Sequence, residues 1–543
     1  MIRLFRERRT KWVACLSVIA FLSVVYVFSF QGRDGKQGYV SDFQGCTSIM
    51  VGRLATTDGS VITAHSCDGN YRTWVRIEPG KTYPEGANTK VYHGLLHTET
   101  PWDKRGVIEQ GEIPQVKETY AFLNTAYPCM NEKQLAIGET TVGGRRELRN
   151  NEGLFYIEEL QRIALQRCTT ARGAIELIGE LVAKYGYCDR GECLTFADPK
   201  EVWHFEIFGA GPLEIGAVWA AVRIPDDHVG ISANIPRISE IDPEDPDHFM
   251  ASDNVYSVAQ EMGWWDPGSG KTFKFWEAYS GEKPFSTREY FVLSSVAPAL
   301  NLSLDSEELP FSVKPEKKLS VRDVMAFYRQ TYKGTELDMT KNLMVKKRRS
   351  DEMILSPIVN PWISWDLITL LNTIKPGIVE PARSIAISGC SYSEVIQCRD
   401  WLPDEVGGIA WFSFDNPGQS PRIPVFAGVT ELPPSFEVCA QHRFRRDSAC
   451  WAFRRANRLA QVRWGEAGQY IEEAISEFEE KAFADLPLIE SKVKEWCGDG
   501  SSGQDLDEIK KYLTKYTNDF ARAAMHKYWE LGDVFWGLFG RGF

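Results

Sequence analysis

The apolar period of this chain changes twice, and those two changes limit what it can build. On one side of Thr57-Asp58-Gly59-Ser60 stand Thr47, Ile49 and Val51, and on the other Val61, Thr63 and His65. Alternation across an Asp-Gly turn predicts a β-hairpin. Further strands are predicted at 74–78, 120–124 and 135–141. Between 151 and 185 the period becomes helical, with Leu154, Ile157, Leu160, Ile163 and Ala164 on one face and a second helix over 171–185. Strands resume at 193–197 and 202–208, joined by the Asp198-Pro199 turn. Strands, then two helices, then strands indicate an α+β layered domain rather than a wound βαβ sheet.

Downstream, residues 245–380 mix a helix near 321–332 with loops rich in Pro, Gly and Ser, and strands return at 384–388 and 408–414. From Ala449 onward the pattern is helical, through 466–497 and 505–539 with a Gly/Ser break at 498–503, and reads as a packed helical appendage. No internal repeat is present. A chain of 543 residues with 43% hydrophobic and 25% charged residues has the composition of an ordinary globular protein. A formal charge of -12 and a pI near 5.4 exclude a nucleic-acid partner, whose phosphates need a basic footprint.

Arg3, Arg6, Arg8, Arg9 and Lys11 precede an apolar stretch over 12–30 without an acidic residue. This is the pattern of an export signal, and its length equally allows a retained membrane anchor through 12–30. An exported protein meets an oxidising compartment, and the turn-like run Cys188-Asp189-Arg190-Gly191-Glu192-Cys193 places two thiols within bridging reach. The chain has no C-x-x-C pair and no His/Cys cluster at metal spacing, and His93 and His97 lack the glutamate of a zincin helix. Neither a metal nor an organic cofactor is implied.

Cys46 follows a glycine and opens the hairpin. A neutral thiol is a modest nucleophile that needs a base. Scission between Gly45 and Cys46 would supply one on the same residue, because an α-amino group titrates at about 7.7–8.0. Nucleophile and base would then share one residue, as in the N-terminal threonine enzymes. The alternative is a buried thiol that acts as a small hydrophobe or bridges to another cysteine.

The run CTSIMVGRLATTDGSVITAHSCDGN resembles the start of peptidase family C69, the dipeptidases among the N-terminal nucleophile hydrolases, related to the secernins. MNEKQLAIGETT, ADPKEVWHFEI, VGISANIPRI, RQTYKGTELDMT and CRDWLPDEVGGIAWFSFDNP continue the resemblance in order, to about Ser448. It implies a four-layer αββα fold and removal of the segment ending at Gly45; with the segments read above, the chain divides into a signal peptide or signal anchor over 1–30, a propeptide over 31–45, a catalytic domain over 46–448 and the helical region 449–543. It also implies hydrolysis of dipeptides through a thioester on Cys46. Carried over by position, Cys46 is the nucleophile, Asp68 orients the freed amine, and Asn234 in Ala-Asn-Ile-Pro donates to the oxyanion. Thr141 falls where wider relatives, the bile salt hydrolases among them, place a second oxyanion residue. Arg288 matches a site arginine, with a surface ion pair as the alternative, and Glu139 either binds a substrate amine or closes a salt bridge. Ala64-His65-Ser66-Cys67-Asp68 departs from the Ala-Arg-Asn-Glu-Asp usual there, which bears on substrate preference. Two other readings stay open, an amidohydrolase of non-peptide amides and a secernin-like protein without peptidase activity.

Overall fold

The computed structural model describes residues 45–281, 285–497 and 503–540. The expected export segment and all of the expected propeptide except Gly45 lie outside the described residues. Strand β1 (Thr47–Val51) and strand β2 (Val61–Asp68) form the predicted hairpin, with Ser48 opposite His65 and Val51 opposite Ile62. Its turn is fixed by the Asp58 carboxylate, which accepts from the Ser60 amide at 3.1 Å and the Ser60 hydroxyl at 2.7 Å. Such Asx contacts substitute for a backbone turn bond.

The further strands that carry the two main sheets include β3 (Ala136–Thr141), β4 (Gly191–Ala197), β5 (Val202–Gly209), β6 (Ala217–Ile224), β7 (Val229–Ser232), β8 (Cys390–Cys398), β9 (Ile409–Phe414) and β10 (Ile423–Phe426). A seven-stranded sheet runs Ser312–Val313, β7, β1, β2, β8, β9, β10. An eight-stranded sheet runs Phe249–Ala251, β6, β5, β4, β3, Met130–Asn131, Phe122–Asn124, Arg76–Glu78. The long strands pair antiparallel throughout. The two sheets pack with β1 and β2 against β3, β4 and β5. Hydroxyls tie the layers where apolar contact alone would leave register loose: Thr63 to Thr195 at 2.6 Å, Thr140 to Ser232 at 2.6 Å, and Ser48 to the Glu139 carbonyl at 3.1 Å. The approach is close enough that a Cβ at Gly138 would lie 3.2 Å from the Ser48 hydroxyl and 3.4 Å from the Ala64 carbonyl of the facing sheet.

Helices α1 (Ile157–Arg167) and α2 (Ala171–Tyr185) follow the predicted periodicity, and α2 lies on β4, β5 and β6. Thr170 caps α2 by accepting from the Gly173 amide, an arrangement that satisfies one orphan donor of the first turn. Helix α3 (Thr287–Val296) packs on β7, and α4 (Val321–Tyr328) on β2 and β8. The carboxy-terminal helices α5 (Ala449–Gln461), α6 (Trp464–Cys497) and α7 (Gly503–Phe539) pack on one another, α5 also on β9 and α7 on β10. Buried polar contacts fasten them: Asp415 takes Arg454 at 2.8 Å and Asn457 at 3.0 Å, and Glu479 takes the Arg422 amide at 3.0 Å. Among the described residues no helix is long and apolar enough to cross a membrane.

Three expectations are corrected. Residues 384–388 are not a strand, and β8 begins only at Cys390. The alternation of Ile385 and Ile387 is misleading there because side chains take the backbone acceptors: Ser384 and Trp362 both donate to the Ala386 carbonyl, at 2.7 Å and 3.1 Å. Cys188 and Cys193 are both free thiols. Cys188 donates to the Phe155 carbonyl at 3.2 Å, while Cys193 sits inside β4 with its sulfur 3.6 Å from His204 Nε2. The predicted strand at 74–78 shortens to Arg76–Glu78, since Val75 donates to the Phe436 carbonyl instead of a strand neighbour.

Candidate active site

Cys46 sits one residue ahead of β1 and is buried, 2% exposed, between the two sheets. Arg288, near the start of α3, holds its backbone: one guanidinium nitrogen donates to the Cys46 carbonyl at 2.6 Å and to the Thr47 hydroxyl at 2.9 Å. The other donates to the Ala233 carbonyl at 2.8 Å and to Asn234 Oδ1 at 2.9 Å. Burial, with Arg383 as a second cation nearby, lowers the Arg288 guanidinium to about 10. Arg288 is therefore an internal clamp joining β1 to the turn after β7, and not a surface ion pair.

Gly45 is the residue on which the clamp converges. Its carbonyl accepts from Arg383 at 2.5 Å and from Arg288 at 3.2 Å. Its φ of 115° is open to glycine and strained for other residues, and an added Cβ would meet Asn234 Oδ1 at 2.4 Å. Arg383 also pairs with Asp68, the last residue of β2, at 2.7 Å, and Ser66 donates to the same oxygen at 3.0 Å. The other Asp68 oxygen is buried without a hydrogen-bond partner. Asn234 has φ 67° and donates through Nδ2 to the Thr141 carbonyl at 2.7 Å. One of its two amide hydrogens is thereby spent and the second left for another acceptor.

The sulfur has a partner that the sequence did not single out. Cys46 Sγ, a His65 ring nitrogen and a Glu139 carboxylate oxygen lie within 4.8 Å of one another, all buried. His65 Nε2 is 3.5 Å from Glu139, and its Nδ1 is 2.9 Å from Glu394 on β8. Burial disfavours charge on this imidazole, but the Glu394 carboxylate on Nδ1, with Cys46 and Glu139 close by, raises its pKa well above the ordinary imidazole value. The Cys46 thiol is itself raised, first by its hydrogen bond to Cys67, then by burial and by Glu139, with His65 pulling the other way. Burial pushes Cys67 up to about 11. A protonated imidazole offers no ring lone pair to a cation and a neutral thiol is a weak ligand, so holding a metal here would require both groups to lose their protons.

Cys46, Asp68, Asn234, Glu139, Thr141 and Arg288 therefore fall in one neighbourhood. Thr141 enters it chiefly through its carbonyl, its hydroxyl donating to Glu139 at 3.2 Å. Glu139 faces His65 across the sheet interface, which is the salt-bridge alternative of the sequence reading. Arg383 and Glu394 were not legible in sequence: both lie more than 300 residues downstream of Cys46, and only the pairing of β8 with β2 brings Glu394 opposite His65.

A model of peptidase family C69 matches residues 45–477. The chain is 24% identical over 412 residues to a probable dipeptidase of Latilactobacillus sakei, covering 73% of this chain and 76% of that one. It is 25% identical over 410 residues to a probable dipeptidase of Salmonella dublin, covering 72% and 82%. Dipeptidase A of Lactobacillus helveticus is 21% identical over 461 residues, covering 82% and 88%.

Proposed function

Because the chain belongs to peptidase family C69, we propose that it is a cysteine dipeptidase of the N-terminal nucleophile type, with Cys46 becoming its first residue once the Gly45–Cys46 bond is cut. The observation that carries this reading is the treatment of that bond. Its carbonyl lies between two guanidiniums while the sulfur of the next residue is buried beside it. A carbonyl so held is activated for attack by the adjacent thiol, because negative charge developing on oxygen meets fixed cations. The new α-amine would find the unpartnered oxygen of Asp68.

In turnover the Cys46 thiolate attacks the peptide carbonyl of the dipeptide. The second amide hydrogen of Asn234 and backbone N–H groups hold the oxyanion. The Cys46 ammonium gives its proton to the leaving amine, and water then releases the acyl fragment from the thioester. The stacked sheets with helices against them support a four-layer αββα reading. The cationic start and apolar 12–30 stretch support export, with a second cut at Gly45.

Intact mass of the purified working protein is expected to place its amino terminus at Cys46, and a dipeptide panel to be cleaved in preference to acylated amines or bile-acid conjugates. Dipeptide hydrolysis by a chain with an uncut Gly45–Cys46 bond would overturn the reading. Asn234→Ala is expected to lower kcat by about 10²- to 10³-fold with little change in KM, as for loss of one oxyanion donor. An equal loss confined to KM would assign Asn234 to ground-state binding instead.

A further inference from the structure

His65 lies inside β2 with 1% exposure, and a buried imidazole is ordinarily neutral. Here it is surrounded by acceptors. Glu394 on β8 holds Nδ1 at 2.9 Å, Glu139 on β3 faces Nε2 at 3.5 Å, and the Cys46 sulfur lies within 4.8 Å. The Tyr127 and Tyr392 rings each stand edge-on at 6.0 Å, each with its hydroxyl held neutral by burial, and the cluster also holds Cys67 beside Cys46, Glu192 beside Glu139 and the Arg422 cation acting on Glu394. A charge on the ring compensates the two carboxyls buried around it, of which Glu394 is pushed upward by burial and drawn back by His65 and by Arg422. His65 Nε2 and Glu139 Oε2 make no hydrogen bond in this geometry. The Nε2–H is thus placed to turn toward sulfur without breaking a bond already made.

Resting on the reading of Cys46 as the nucleophile, we propose that His65 is its positioning cation: Glu394 fixes Nδ1–H, and Nε2–H faces Sγ and stabilises the thiolate. The imidazolium keeps its proton throughout. In the mature chain the thiol proton passes to the Cys46 α-amine. In the precursor, where that nitrogen is still an amide, the proton ends on the same nitrogen as Sγ takes over the Gly45 acyl group and the C–N bond breaks, and water then hydrolyses the thioester. The cation is present in both states, so the sulfur has electrostatic support for the maturation cut before its own amine exists. The raised imidazole pKa agrees with this, since the charge persists at neutral pH and is lost only as pH climbs well beyond the ordinary imidazole range.

The test is the rate of iodoacetamide alkylation at Cys46 in the mature protein, read by peptide mass as a function of pH. A unit charge at this separation in a partly screened interior changes the thiolate population by roughly 10²-fold. His65→Gln is expected to slow alkylation near neutral pH by about 10²-fold and to move the midpoint of the pH profile upward by about two units. His65→Arg, a cation that does not titrate, should stay within about 10-fold of the parent. Glu394→Gln, which loosens the ring, should fall between the two. A His65→Gln profile superimposed on the parent overturns the proposal, and so does a folded His65→Arg protein as slow as His65→Gln. If neither His65 variant folds, a Glu394→Gln midpoint equal to the parent's overturns it. The nucleophile reading fails separately, if fully alkylated Cys46 leaves dipeptide hydrolysis intact.

Discussion

Cys46→Ala is expected to lower dipeptide hydrolysis by at least about 10⁴-fold, the scale seen when the nucleophile of a hydrolase that works through a covalent intermediate is removed. The same substitution should leave the Gly45–Cys46 bond uncut, so that intact mass shows a longer chain. Both losses follow from one atom, because the sulfur that attacks the substrate is also the sulfur beside the Gly45 carbonyl. Folding should be little affected: the change removes one small buried atom from a residue whose backbone is still gripped by Arg288 through the Cys46 carbonyl at 2.6 Å. Thermal unfolding is the control, with a shift of a few degrees at most expected for a loss on the order of 1 kcal/mol. Cys46→Ala that is cleaved at Gly45, or that turns over dipeptides at more than a few per cent of the parent rate, would remove Cys46 from the mechanism.

The hairpin that carries Cys46 and Asp68 was readable because its apolar period is two and its turn has Asp-Gly chemistry, both local properties. Helices α1 and α2 were readable for the same reason. Strand β6 was not predicted because Ala217–Ile224 is covered on both faces along most of its length, so inward and outward positions do not alternate in polarity. The short strand β7 (Val229–Ser232) was missed similarly, with all four residues buried. The site divides along the same line. Cys46, Asp68 and Asn234 stand in runs that resemble the family and are carried over from it, whereas Glu394 is an acidic residue in the wholly buried strand β8 and has no such mark. His65 stands in view in the hairpin, yet its meaning depends on carboxylates from β3 and β8, which only the stacking and pairing of strands supply. Local runs and their resemblance to the family single out the candidate nucleophile, and long-range pairing supplies the electrostatics around it.

Arg383→Gln is expected to destabilise the protein by about 3–5 kcal/mol, the scale of breaking a buried ion pair from one side. Its partner Asp68 is 0% exposed in its side chain and Arg383 only 5%, so neither water nor another cation at hydrogen-bond distance takes over the charge. The variant also withdraws the 2.5 Å contact to the Gly45 carbonyl, and whatever folds should accumulate as uncut precursor. Stability and processing can be separated by adding Asp68→Asn. The double variant has no buried unpaired carboxylate, so most of the lost stability should return in urea unfolding. Cleavage should not return, because the Gly45 carbonyl still lacks its second cation. A purely structural salt bridge predicts the opposite for the double variant, namely recovery of stability and processing together. Urea midpoints and intact masses of the parent, Arg383→Gln and the double variant distinguish the two outcomes. A single Arg383→Gln variant that unfolds and matures like the parent would show that the arginine cradle around Gly45 contributes nothing to either.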